Sequence, residues 1–270
     1  MDDAITQIGL LDEPDILLDE AALALAMLDH PGLPIDPYEK ILEDIATRLA
    51  DAGADATTGR ERAGILARIF SGEYGFAGDA DTYDDPANAD LIRVIDRRRG
   101  LPISLAILYV AAARRIGWMA DILDVPGHVL VLVGDTFAPV IIDPFRGGAA
   151  VAPQQLASLL ASSADRSARP IGRVAPMPNR AVLTRLILNQ ATRAEAAGDG
   201  QRARTLYERI TTFAPAYVHG WRERARLELR DGDVTAARGS LSAILETTRD
   251  PAIRDGVAGT LRSLAGDSIG

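Results

Sequence analysis

Residues 97–145 read RRRGLPISLAILYVAAARRIGWMADILDVPGHVLVLVGDTFAPVIIDPF, and the pattern within them decides the fold. From Leu101 to Ala113 the only polar side chains are Ser104 and the tip of Tyr109, so this stretch reads as a helix apolar on every face and therefore buried. It is too short to cross a bilayer. Gly100 and Pro102 mark its start and Gly117 its C-terminal end, which puts Ser104 in the first turn. Val125-Pro126-Gly127 then turns the chain into HVLVLV, and VIID runs back until Pro144 stops it. The expected order is helix, strand, strand, with the two strands forming a hairpin. If its turn is centred on Asp135-Thr136, facing residues have numbers summing to 271. His128 then stands across from Asp143, side by side on one face.

A carboxylate beside a histidine fixes the imidazole tautomer, and the other ring nitrogen can face a nucleophile at a helix N-terminus, where backbone N–H groups favour an anion. Such a constellation serves Cys-His-Asp acyl transfer, with serine here in the first position. At this point the sequence resembles the transglutaminase-like core of the SirB1 family. The resemblance is carried by NADLIRVIDRRRGLPISLAILY, PGHVLV and IDPFRGG, in that order. It implies a fold related to papain-like and transglutaminase enzymes, with Ser104 at the nucleophile position, His128 at the base and Asp143 at the orienting acid.

The chain contains no cysteine. A thiol beside a histidine and a helix terminus can have its pKa lowered to roughly 3.5–7.5, whereas a serine needs its proton removed during attack. The expectation is therefore a triad remnant in a non-catalytic protein that binds a protein or peptide partner and acts as a regulatory module. The alternative is a serine-dependent amidase or peptidase using Ser104, His128 and Asp143. A third reading is an adaptor in which only C-terminal repeats bind and His128 matters for stability alone. If the three residues form one site, a Ser104→Cys thiol should titrate below the ordinary value of about 8.5.

Composition fits a soluble globular protein, with 47% hydrophobic and 25% charged residues. A net charge of −9 disfavours a general nucleic-acid or anionic-membrane surface. Cysteine's absence removes disulfides and zinc-thiolate sites, and His30, His128 and His219 are scattered without metal-ligand spacing. No cofactor or metal is expected. The acidic start, MDDAITQIGLLDEPD, has no basic and apolar leader pattern, so cytoplasmic residence is the expectation.

Upstream, helices are expected over 16–28, 37–50 and 60–70, forming a helical layer on the core. GDADTYDDPANAD places Asp79, Asp81, Tyr83 and Asp90 at positions 1, 3, 5 and 12 of a calcium loop, yet Asp84 stands where glycine is needed. The loop is instead read as solvated and acidic, with Asp84 or Asp85 capping a turn through Pro86. Arg97, Arg98 and Arg99 read as a solvated helix end.

GDGQRARTLYERI at 198–210 matches GDVTAARGSLSAI at 232–244 with an offset of 34, the period of tetratricopeptide helix pairs. Two repeats are fewer than are usually stable alone, so this tail should lean on the core. The expected class is α+β: a papain/transglutaminase-like core of helices plus a small antiparallel sheet, followed by an all-α, tetratricopeptide-like tail. The expected domains are 1–165 and 178–270, with the boundary in the polar connector between them.

Overall fold

The computed structural model describes residues 2–125, 127–134, 137–161 and 175–266. Two compact units form, Glu13–Leu186 and a second made of Met1–Asp12 with Ile187–Gly270. This grouping differs from the expected 1–165 and 178–270. The first twelve residues group with the C-terminal helices, and the boundary falls inside a helix rather than in the connector, most of which lies outside the described residues.

The larger unit is organised around α6 (Pro102–Arg115). Pro102 occupies the first helical position, where its missing N–H costs nothing, and Leu101 before it is extended. Ile103, Leu105, Ile107, Leu108 and Val110 are at most 1% exposed. At about 2 kcal/mol for each buried aliphatic side chain, these five contribute roughly 10 kcal/mol before the entropic cost of folding is subtracted. Helices α2 (Leu18–Met27) and α3 (Asp36–Ala52) pack on α6, as do the strands that follow it. Asp19, buried on α2, accepts from Arg115 Nε at 2.7 Å and ties the two helices together.

Helix α4 (Gly59–Ala67) begins with a reciprocal capping box between Thr58 and Glu61 and runs into a π-helical turn, Arg68–Glu73. That turn buries Phe70, whose ring stacks on Tyr109 of α6 with centroids 4.2 Å apart. Two-residue strands β1 (Ala77–Gly78) and β2 (Arg99–Gly100) pair in parallel on either side of α5 (Leu91–Arg97).

The main sheet has four antiparallel strands in sequence order: β3 (Ala120–Val125), β4 (His128–Val133), β5 (Val140–Asp143) and β6 (Ala149–Ala150). Two of these strands go beyond the sequence reading, which expected only β4 and β5. Strand β3 pairs with β4 along its whole length, with Gly127 at φ 77° in the tight connection. The β4–β5 register also corrects the expectation. Val131 faces Ile142 and Val133 faces Val140, so facing numbers sum to 273 rather than 271. A shift of two residues keeps every side chain on its own face, which is why the apolar pattern could not detect it.

One face of the sheet carries Leu123, Val125 and Leu130, which pack with Leu156, Leu159 and Leu160 of α7 (Pro153–Ala161). Alternation leaves Val129, Val131 and Val133 on the face toward α6, each at most 3% exposed.

The smaller unit is helical: α1 (Asp2–Leu10), the later part of α8 (Asn179–Ala196), α9 (Gly200–Phe213), α10 (Val218–Arg230), α11 (Val234–Thr247) and α12 (Pro251–Gly266). Helix α1 was not anticipated. It packs on α9, and a Cβ added at Gly9 would lie 3.0 Å from the Thr212 carbonyl oxygen. The sequence repeat has structural counterparts at the same offset. Asp199 caps α9 by accepting from Arg202 N, and Asp233 caps α11 by accepting from Ala236 N. Ala203 and Ala237 are both fully buried.

Candidate functional site

Ser104 is the third residue of α6, and its Oγ donates to the Asn88 carbonyl at 2.8 Å. The side chain is 0% exposed. The same carbonyl accepts from Leu101 N at 3.0 Å, so the start of α6 is fastened twice to the loop before α5. That loop is far more ordered than a solvated acidic segment. Asn88, also 0% exposed, donates from Nδ2 to the Thr82 carbonyl at 2.6 Å and accepts at Oδ1 from Arg97 Nη1 at 3.3 Å. Asp79 accepts from Thr82 N, Thr82 Oγ1 and Arg97 Nη2, all within 2.8 Å. Arg97 ends α5 and is exposed, as the arginine run suggested, and it tethers the loop as well. Asp85 accepts from Ala87 N and caps the short turn that starts at Pro86, as the sequence suggested.

The hydrogen bonds from the Thr82 side chain and backbone hold the Asp79 carboxyl at a pKa of about 2, below its ordinary 3.8. A depressed carboxylate pKa contributes stability that is complete above 3.8 and disappears as pH falls through about 2. Acid titration followed by circular dichroism should therefore give a shallower loss of stability for Asp79→Asn than for the wild type between these values. Parallel acid curves for the two proteins would contradict the assignment.

Asp143 and His128 come together differently from Ser104. Asp143 ends β5 and caps the following turn, its Oδ1 accepting from Phe145 N at 3.0 Å. Arg146 Nε lies 3.6 Å from Oδ2, and the carboxylate is nearly buried. His128 begins β4, half-buried, opposite Val125. In the observed register Asp143 extends the ladder opposite Leu130, which makes His128 its diagonal neighbour. Diagonal pairs are typically about 7–8 Å apart, a spacing that long side chains can bridge but that His128 and Asp143 do not. Among the described residues no hydrogen bond links Ser104, His128 and Asp143 to one another.

His128 and Asp143 nonetheless line one cavity of about 350 Å³, with Leu130 and Leu159 as apolar walls and Arg146, Gln155 and Ser158 as polar ones. Ser104 is not among its lining residues. On α6, the Tyr109 hydroxyl is buried with no hydrogen-bond partner. Burial, and then the Asp143 charge, push its pKa far above the ordinary phenol value.

Two comparisons bear on this arrangement. The model of the transglutaminase-like superfamily matches residues 36–188, more than half of the chain. The chain belongs to the transglutaminase-like superfamily. The matched span runs from α3 into α8 and contains Ser104, His128, Asp143 and the fastened loop before α5. The chain is also 26% identical to a UPF0162 protein of Xylella fastidiosa strain 9a5c, over 97% of its own length and 95% of the relative's. It is 28% identical to a UPF0162 protein of Pseudomonas aeruginosa, over 90% and 88% of the two chains.

Sequence reading missed a second histidine–carboxylate pair within this transglutaminase-like span's neighbourhood. His30 Nε2 lies 2.6 Å from Asp90 Oδ2, although sixty residues separate them. No spacing rule could have paired them. The sequence singled out Asp90 only as position 12 of the rejected calcium loop, whereas it caps α5 by accepting from Ile92 N and Arg93 N. Among the described residues, no group of three His, Asp or Glu side chains is placed to hold a metal ion.

Proposed function

We propose that this transglutaminase-like chain is a non-catalytic member of the SirB1 family, acting in the cytoplasm as a regulatory module that binds a protein or peptide segment. The observation that carries the reading is the Ser104 hydroxyl, wholly buried and committed as a donor to the Asn88 carbonyl. A nucleophile needs a base on its own proton and an open approach to the substrate. The proton of Ser104 instead serves the junction between the loop and α6. In this reading the family's nucleophile position has become a structural staple. The cavity at His128 and Asp143 supplies the binding surface, with apolar walls to receive a side chain and polar groups to orient it. The helical tail is read as tetratricopeptide-like, on the strength of the capping and packing positions that recur at an offset of 34.

A serine-dependent amidase or peptidase is the competing reading, favoured by the common cavity of His128 and Asp143. Labelling separates the two. The non-catalytic reading expects wild-type Ser104 to resist fluorophosphonate acylation. It also expects the sole thiol of Ser104→Cys to alkylate slowly, with an apparent pKa at or above about 8.5, because a buried thiol facing a carbonyl oxygen gains nothing from ionising. Rapid acylation of Ser104, or a low-pKa thiol that reverts on His128→Ala, would overturn it.

A further inference from the structure

A second cleft, of about 420 Å³, lies away from the site just described, between the loop after α2, the start of α3 and the side of α5. His30, Leu33, Tyr38, Ile92, Arg93 and Asp96 line it. Its chemistry is unusually well sorted. The His30 imidazole is held from behind, because the Asp90 carboxylate can only accept and therefore takes the Nε2 proton. Asp90 is itself fixed by two backbone N–H groups of α5. The ring is thus locked, leaving Nδ1 uncommitted to the dyad.

Arg93 and Asp96 are three residues apart on α5, so they project from one side of the helix. They do not pair with each other, and among the described residues the Arg93 guanidinium makes neither a hydrogen bond nor an ion pair. Asp96 is positioned by the Tyr38 hydroxyl, which donates to Oδ2 at 3.4 Å. One free cation and one oriented anion therefore line the same cleft, together with Leu33 and the edge of the buried Ile92.

That combination selects its ligand by charge balance. A simple carboxylate attracted to Arg93 would meet Asp96, and a simple amine attracted to Asp96 would meet Arg93. A molecule carrying both charges on groups bonded to one carbon satisfies both walls at once and lets an apolar substituent lie against Leu33. We infer that this cleft is a binding site for a free α-amino acid with an apolar side chain, its carboxylate on Arg93 and its ammonium on Asp96. His30 lines the same cleft as a further polar contact.

Isothermal titration of the full chain with three probes tests this: L-leucine, L-leucinamide, which lacks the carboxylate, and N-acetyl-L-leucine, which lacks the ammonium. Leucine should bind at least about tenfold more tightly than either analogue, the worth of one charge-assisted contact. Arg93→Ala should abolish the preference over leucinamide, and Asp96→Asn the preference over N-acetyl-leucine. Both side chains are exposed, and unchanged thermal melts would establish that each variant is folded. Equal affinity for all three probes, no heat from leucine at millimolar concentration, or leucine binding unchanged in both variants would overturn the proposal.

Discussion

Gly148→Ala should cost about 3–5 kcal/mol of stability, combining the penalty for a left-handed side-chain-bearing residue with overpacking against backbone. Gly148 has φ +80°, and a Cβ there would lie 2.8 Å from Ala67 Cβ, 2.9 Å from Ala67 Cα and 3.2 Å from the Tyr109 ring. None of these can turn aside, since Ala67 ends α4 and Tyr109 is clamped against Phe70. The residue also fixes the site, because Gly148 N donates to the Asp143 carbonyl at 2.9 Å and closes the turn that Asp143 caps. Calorimetry should record a melting temperature lower by roughly 10 °C. Gly147→Ala is the internal comparison. There φ is +67° but the near atom is the Ser71 hydroxyl, the end of a side chain that can rotate. Equal losses in the two variants would mean that close approach to α4 is not what demands glycine.

Asn88→Ala should lower stability by about 2–4 kcal/mol, since it strips from a fully buried amide its bonds to the Thr82 and Tyr83 carbonyls and to the charged Arg97. Its effect should exceed that of Ser104→Ala, which removes a single bond from the same junction. Asn88→Asp is the informative companion. It keeps an acceptor for Arg97 but sets a carboxylate oxygen against the Thr82 carbonyl, where the amide N–H donates at 2.6 Å, so this buried and unsatisfied charge should cost at least as much as alanine does. Urea unfolding of the three variants gives the order directly, and Asn88→Ala within about 1 kcal/mol of wild type would refute the loop's role as a fastener.

What the sequence disclosed and what it withheld divide along physical lines. An all-apolar run with Gly and Pro at its ends specifies a buried helix almost without context, and α6 is where that pattern put it. The runs HVLVLV and VIID identified β4 and β5, and with them a common face for His128 and Asp143. Alternation determines only which face a residue occupies. Exact pairing depends on the length of the connection, so the two residues emerged as diagonal neighbours instead of direct partners.

Strand β3 escaped notice because Asp121 and Asp124 interrupt its apolar pattern, and their outward partners, Arg114 and Arg185, are known only from the fold. Ser104 could be placed in the first helical turn. Its partner could not, because a backbone carbonyl sixteen residues upstream has no sequence signature. The family resemblance pointed to Ser104, His128 and Asp143, whereas the locked His30–Asp90 pair lay outside any motif that spacing could reveal.

The packing of α1 on α9 has a consequence for synthesis on the ribosome. About 200 residues separate the two helices, so at roughly 5–20 residues per second the first must wait on the order of 10–40 s for its partner. A nine-residue helix has little stability by itself, and Ile5 and Ile8, buried in the finished structure, have no such shelter until α9 has emerged. Glu13–Leu186 can meanwhile be completed from contiguous chain. Vectorial assembly thus proceeds from the middle outward, and α1, made before the larger unit, finds its native neighbour after it.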